Sequence, residues 1–360
     1  MEFIALAIGS GDAFLLKDDG RIILFDSGGN KTKIVQALKA NNVNHIHLAI
    51  CSHNDQDHAN GFIGLLKSKI SVKEIWLPGI WSNIMQYLSD NSKEIDAIRR
   101  FGATQSVKFD NNEIDYDSLF SEESVSLEYF DDTIPHIDNR LQNVSLFADM
   151  TMRHEKRHTC YQCVHKDQCG FSVKINLKRI KEIVQLAYKK GCTIRWFEPI
   201  TFCATNVIDY GFVALNSRQI CRIRKIKNTM SFLQALTLSE ENKYSLVFEY
   251  MKNGVPVVRF SADSDCTCQS GSPYKNSIII TAPHHGSEAN AIVYATFKGD
   301  TKIWVRSDGT SRKRPCAEFK KLANKYCLAC HINKSKEELC FHYDSSTNKW
   351  IHKRGRYCNC

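Results

Sequence analysis

The sequence predicts an α/β fold, on three observations. Short apolar runs such as RIILF and HIHLAI have the length and composition of buried strands. Segments such as NLKRIKEIVQLAYKKG carry apolar residues at helical spacing and close on a glycine. Polar clusters rich in His and Asp directly follow strand ends, where α/β architectures gather ligands.

From the N-terminus, FIALAIG, AFLLK and RIILFDSGG read as three short strands joined by Gly/Asp turns, a β-meander. HIHLAICS is a fourth, nearly continuous apolar strand. After a polar stretch, GFIGLLKSK has helical spacing, and VKEIWLPG closes a strand-loop-helix-strand unit. NSKEIDAIRRFG reads as a helix ended by Gly102, SVSLEYF as a strand, and residues 176–199 as a helix, a Gly stop and a strand. The stretch from about 132 to 240 is the least regular. YSLVFEY and VPVVRFSAD, separated by MKNG, form a predicted hairpin with an Asn-Gly turn, and NSIIITAPHHGS is another apolar strand running into polar residues.

Composition narrows the function classes. With 360 residues and 43% hydrophobic content the chain can bury one large core or two, and it shows no low-complexity tract or tandem repeat. Its 48 basic against 39 acidic residues give +9, which favours anionic partners such as nucleic acid or phosphate esters. Glu2 stands where a signal peptide needs positive charge, and no apolar run approaches the roughly 20 residues that cross a bilayer. The expectation is a cytoplasmic protein whose 15 cysteines stay reduced, so that clustered ones suggest metal binding more than disulfides.

The first chemical cluster is AICSHNDQDHANGF, which places His53, Asp55, Asp57 and His58 in six positions after an apolar strand. Alternation along an extended segment puts 53, 55 and 57 on one side, and a turn brings His58 beside them. Imidazole nitrogen with carboxylate oxygen suits zinc, manganese or ferrous iron. The plainer alternative is a helix-capping loop in which Asp55 or Asp57 caps and the histidines face water. Two more strand ends favour metal: RFSADSD delivers Asp263 or Asp265, and TAPHHGS delivers His284 and His285.

These motifs together resemble the metallo-β-lactamase fold superfamily, in particular its branch like the hydrolase domain of the DNA-uptake protein ComEC. That branch writes H-x-D-x-D-H where most of the superfamily has H-x-H-x-D-H; here it reads His53-Asn54-Asp55-Gln56-Asp57-His58. GSGDAFLL, ILFDSGG, EIWLPG, ENKYSLVF and PHHGS extend the likeness over most of residues 1–130 and 240–310. The chain departs from it with Ala262-Asp263 in place of Gly-Asp, and offers no third histidine for the first metal.

The resemblance implies an αββα sandwich with an inserted cysteine-containing segment: residues 1–131 as the first half, 132–240 as an irregular insertion with the Cys cluster and a helix, and 241–360 as the second half with a Cys-rich tail. It implies two divalent ions, zinc or manganese, one held by His53 and Asp55, the other by Asp57, His58 and His285, with Asp263 bridging. Asp57 and His284 would be the catalytic residues, His284 contacting substrate; Asp26 would orient ligands from behind, and Asn242 matches the branch's strand motif. The function implied is hydrolysis of phosphodiester bonds by a nuclease acting through metal-activated hydroxide. The alternatives are a hydrolase of a small ester, lactone or phosphocholine-type substrate, or a degenerate partner-binding subunit.

Nucleic acid is the expected partner, with a regulatory protein as a second. Arg222, Arg224 and Lys225 in RQICRIRKIK, and Arg312, Lys313 and Arg314 in SRKRP, could track a phosphate backbone. The spacing of Ile220, Ile223 and Ile226 equally suits a solvated helix face. Cys160, Cys163 and Cys169, with His158 as fourth ligand and Cys192 as its rival, suggest a structural zinc, an iron–sulfur cluster being the alternative. The cysteines of the tail match no established spacing, and no site is read there.

Overall fold

A computed structural model describes residues 1–91, 115–128, 130, 168–200, 208–266, 274, 276–297, 299–307, 314–328, 337–358 and 360; in helix 168–189 it describes side chains from residue 176 on. The chain opens with strands β1 (Glu2–Ala5), β2 (Phe14–Asp18) and β3 (Arg21–Phe25), then helix α1 (Lys31–Ala40), β4 (His45–Ile50), α2 (Gln56–Lys67), β5 (Ser71–Pro78) and α3 (Gly79–Asp90). After β6 (Phe120–Ser126) come α4 (Gln168–Lys189), β7 (Thr193–Pro199), β8 (Phe212–Ala214), β9 (Ser217–Gln219), β10 (Arg222–Ile226) and α5 (Thr229–Leu238). The remainder is β11 (Phe248–Lys252), β12 (Val255–Phe260), β13 (Ile278–Thr281), α6 (Ala291–Thr296), β14 (Lys302–Arg306), α7 (Ala317–Lys320), β15 (Lys325–Cys327), β16 (Leu339–Asp344) and β17 (Lys349–Arg354).

The strands form a sheet of order β17-β16-β1-β2-β3-β4-β5-β7-β9, a sheet of order β15-β14-β13-β12-β11-β8, and a separate β10-β6 pair. Alternation in the sequence decides which side chains meet between the two large sheets. Phe3, Phe14, Leu16, Ile23 and Phe25 point inward toward Phe248, Val258, Phe260 and Ile279 of the second sheet. Their neighbours Ile4, Leu15 and Leu24 point outward, onto a layer of helices that includes α2, α3 and α5. Ile278, Ile280 and Trp304 likewise pack on Tyr294 of α6 and Phe319 of α7. The result is the helix, sheet, sheet, helix layering expected from the sequence.

Phe25 and Phe260 stack at 4.5 Å between the sheets, both fully buried. Phe260→Ala is therefore expected to cost about 3–5 kcal/mol, read as a lower urea midpoint at unchanged slope.

Two elements follow from signals too weak to read in the sequence. Helix α1 is capped by Asn30, whose side chain accepts from the Thr32 and Lys33 amides, yet it buries only Ile34 and Leu38. Helix α3 buries nearly every residue, the polar Ser82, Asn83 and Gln86 included, so its buried face is not marked by apolar residues alone. Strand β16 extends the first sheet by pairing with β1 across the whole length of the chain, and β17 pairs with β16 at the edge.

Within the stretch 132–240, strands β7 and β9 join the first sheet, β8 joins the second, and α4 and α5 contribute to the outer core. Residues 132–167 and the expected helix over 92–102 lie outside the described residues. RIRKI is strand β10, and a register irregularity between Arg224 and Ile226 lets both Ile223 and Ile226 be buried, which explains the helix-like spacing. Among the described residues, no helix is long and apolar enough to cross a membrane.

Candidate metal centre

The carboxyl ends of β3 and β4 in one sheet, and of β12, β13 and β14 in the other, open onto one edge of the sandwich. The parallel pairings of β3 with β4 and of β12, β13 and β14 with one another align these ends. From them project Asp26, the loop 53–58, Asp263, the pair His284–His285, and Ser307.

Asp55 occupies the N-cap position of α2 but makes no side-chain capping bond. Its carboxylate instead lies 3.7 Å from His53 Nε2, against the helix-capping reading of the cluster. Helix α2 starts at Gln56, five residues before the sequence suggests, so Asp57 reaches the site from the first helical turn and not by strand alternation. Close approach is what permits this. A Cβ on Gly61 would sit 2.1 Å from the Ser27 carbonyl oxygen, and Gly61 N–H donates to the Gly28 carbonyl at 2.8 Å.

Four ligand-type atoms converge. His58 Nε2 and His285 Nε2 face each other at 3.2 Å. Asp263 Oδ1 is 3.1 Å from the former and 3.6 Å from the latter, and Asp57 Oδ2 is 3.1 Å from His285 Nε2. A carboxylate oxygen of Asp12 joins His58, Asp263 and His285 in one buried group, and Asp263 also belongs to a second group with His53 and Asp55, so it is shared by both. Asp265, its rival in sequence, is exposed, whereas Asp263 is buried.

The outer nitrogens are fixed by two matching devices. Asp26 accepts from the Ser52 amide and hydroxyl at 2.8 Å each, and its Oδ2 is 2.9 Å from His58 Nδ1. Because the Ser52 proton goes to Asp26, Ser52 Oγ is left to accept from His53 Nδ1, 2.9 Å away. On the other side, Ser307 Oγ donates to Asp12, whose Oδ1 lies 3.2 Å from His285 Nδ1. Each proton is thereby assigned to Nδ1, which turns the Nε2 lone pairs of His53, His58 and His285 inward.

When neutral, these imidazoles face each other with inward lone pairs at 3.2 Å, an arrangement that a cation between them, a proton or a metal ion, relieves. His53 Nε2 and Asp263 Oδ1 are both buried without a hydrogen-bond partner, a costly state that a metal ion removes. The electrostatics agree. Burial opposes charging of His58 and His285, yet Asp263, with Asp26 for the first and Asp12 for the second, holds both well above the ordinary imidazole range. Burial also opposes charging of Asp263, yet His58 and His285 hold it well below the carboxylate range. A pocket that draws protons this strongly draws a divalent cation for the same reason. The residues present therefore fit metal ions.

Residues 7–130 match the metallo-beta-lactamase superfamily. The match spans β2 and β3, the 53–58 loop and Asp12, and ends before Asp263 and His285, which the fold alone brings to the same point. No curated protein matches the chain. The match to that superfamily and the buried His/Asp group together point to metal-dependent hydrolysis.

Sequence reasoning missed three residues. Asp12 stands in a Gly-Ser-Gly-Asp turn that reads as loop, and its amide donates to the Asp57 carbonyl at 3.1 Å. Arg179 of α4, 5% exposed, donates to the Asn54 carbonyl and so pins the ligand loop. Ser307 carries no motif at all. Asn242 lies where its amide group meets His284 Nδ1 at 3.2 Å.

The basic candidates are dispersed. Arg314 Nη2 is 2.9 Å from His284 Nε2, at the centre itself. Arg224 pairs with Asp117 and Glu198 and lies over the Phe120 ring, Lys225 pairs with Glu123, and Arg222 is exposed. Arg312 and Lys313 lie outside the described residues, as do His158, Cys160 and Cys163 and the side chain of Cys169. Cys192, their rival ligand, is buried and donates to the Val72 carbonyl at 3.2 Å.

Asp26→Asn keeps the shape but loses the charge and an acceptor that set His58 and, through Ser52, His53. The expected result is a 10–100-fold loss of metal affinity with the fold retained, measured by titration calorimetry.

Proposed function

We propose that the protein is a metal-dependent hydrolase of phosphodiester bonds, a nuclease in its simplest form. The observation that carries this reading is the guanidinium of Arg314 against His284, whose Nε2 is 3.7 Å from Asp263 Oδ2. A permanent positive charge beside a two-ion centre suits a substrate that stays anionic through the reaction.

His53, Asp55 and Asp263 would hold one ion and Asp57, His58, Asp263 and His285 the other, zinc or manganese, with His284 outside the ligand set. Bound there, the ions would supply Lewis acidity at a phosphoryl oxygen and a water of lowered pKa. The chain's own residues do the rest. Arg314 donates to His284 Nε2 and to the substrate's non-bridging oxygen, and so orients the phosphodiester. Burial, and after it Arg314, keeps His284 below its ordinary imidazole range although Asp263 opposes this. His284 is then neutral near pH 7, its Nε2 accepting from Arg314, and it fixes the guanidinium that meets the substrate. Arg179 and Asn54 hold the loop that sets Asp55.

Arg314→Ala is expected to lower kcat/KM on a phosphodiester by about 10–100-fold, chiefly through KM. An uncharged ester should show no such loss, and equal loss on both would remove the anion-binding role. The direct test is cleavage of labelled single- and double-stranded DNA and RNA with added Mn²⁺ or Zn²⁺; cleavage that weakens with salt supports a nuclease. The His53 group holds a single imidazole, which favours one alternative, a partner-binding subunit with weakened metal affinity. That reading requires protein that binds a regulatory partner, retains few metal equivalents and cuts nothing.

A further inference from the structure

The C-terminal Cys-x-Cys pair closes onto the wall of the sandwich beside the metal centre. Cys327 at the end of β15, Cys358 and Cys360 bring their three sulfur atoms within 4.8 Å of one another. Main-chain pairing holds them there: Cys358 N–H donates to the Lys325 carbonyl at 3.2 Å, and Tyr326 and Tyr357 form an antiparallel bridge. Cys327 and Cys358 are buried and Cys360 is half-buried.

Cys327 Sγ and Cys360 Sγ lie 4.0 Å apart. That is twice a disulfide bond, but it is close to the separation of about 3.8 Å that two thiolates adopt on a tetrahedral zinc ion with bonds of about 2.3 Å. Charge fits as well. Arg306, fully buried, donates from Nε to Cys327 Sγ at 3.2 Å. Three thiolates with one divalent ion carry a single negative charge, which an adjacent guanidinium balances.

We propose that Cys327, Cys358 and Cys360 bind a thiophilic metal ion, zinc foremost, at a structural site distinct from the His/Asp centre. Three thiolates supply three of the four positions, and water or another donor supplies the last. The site ties the C-terminus to β14 and β15. Arg306 also donates from Nη1 to the His285 carbonyl at 3.4 Å, and the next residue, Ser307, has its hydroxyl 3.3 Å from His285 Nδ1. Filling the site therefore stiffens the wall on which His285 is mounted. Binding releases a proton from each thiol as its sulfur becomes a ligand, with no change of oxidation state.

The test uses the full chain carrying Cys160→Ser and Cys163→Ser, so that the middle cysteines contribute nothing. Purified without oxygen and loaded with cobalt(II), it should show thiolate-to-cobalt charge-transfer absorption. The absorption should persist in added Asp263→Asn and vanish in added Cys358→Ser/Cys360→Ser, with one fewer zinc equivalent by mass spectrometry. In wild-type protein, bound zinc should slow alkylation of Cys360 at least tenfold, and chelation should restore it; this arm needs no variant to fold. Zinc content unchanged by the serine pair, alkylation indifferent to zinc, or a Cys327–Cys360 disulfide in place of metal would each overturn the proposal. Copper found in place of zinc would support a thiolate site of that metal.

Discussion

Asp263→Asn is expected to empty the centre of both ions and to lower hydrolysis by about a thousandfold or more. Among the described residues, Asp263 is the one side chain common to both ligand groups, only 3% exposed, with Oδ1 near both His58 and His285. The amide is isosteric but removes a negative charge from each group and offers a neutral ligand. The metal-free variant should also be less stable, because burial opposes charging of Asp263 yet His58 and His285 hold it well below the carboxylate range, and the amide leaves both imidazoles without that partner. The signature is a lower but still cooperative metal-free melting temperature, together with loss of the rise that metal gives wild-type protein. A variant that merely unfolds would show no cooperative transition, and calorimetry with and without Mn²⁺ separates the two.

Gly11→Ala is the second large effect, and its cause lies in the backbone. Gly11 has φ +81°, and a Cβ there would lie 1.6 Å from the Asp57 carbonyl oxygen. The neighbouring Asp12 amide donates to that same carbonyl. Alanine must push the turn and the first turn of α2 apart, which moves Asp12 and Asp57 together. The expected cost is about 4 kcal/mol, with metal affinity falling in parallel. Gly20→Ala is the control: its φ is +74°, but nothing lies within 4 Å of the added Cβ. It should cost only about 1 kcal/mol and leave metal binding intact, as urea titration and calorimetry would show.

Much of the candidate centre is legible because its residues follow nearly continuous apolar strands that end abruptly in polar clusters. HIHLAI into His53–His58 and IIIT into His284–His285 announce a strand end, and a strand end is where such a fold exposes side chains. The choice between Asp263 and Asp265 was not legible. Ala262 takes φ +46°, a left-handed turn that breaks the alternation after Phe260 and swings Asp263 inward. Asp12 looked like a turn residue because its reason for being there, the His285–Ser307 pair, lies at the far end of the chain. Arg179 reads as one more polar position on an amphipathic helix until that helix is packed against the ligand loop. Arg314 reads in the sequence as part of a phosphate-tracking run, and its place against His284 depends on a tertiary approach that local spacing does not encode. The tail hairpin was silent for the same reason: β16 has its partner in β1, more than 300 residues away.

The account turns on one claim, that the inward Nε2 atoms and the shared Asp263 hold metal. Metal content by mass spectrometry, on wild-type and Asp263→Asn protein reconstituted with Mn²⁺ or Zn²⁺ and desalted, tests it most directly. The account predicts that wild-type protein retains the two ions of the His/Asp centre and that the variant loses both while keeping any metal held by cysteine. Equal metal content in the two proteins would contradict it.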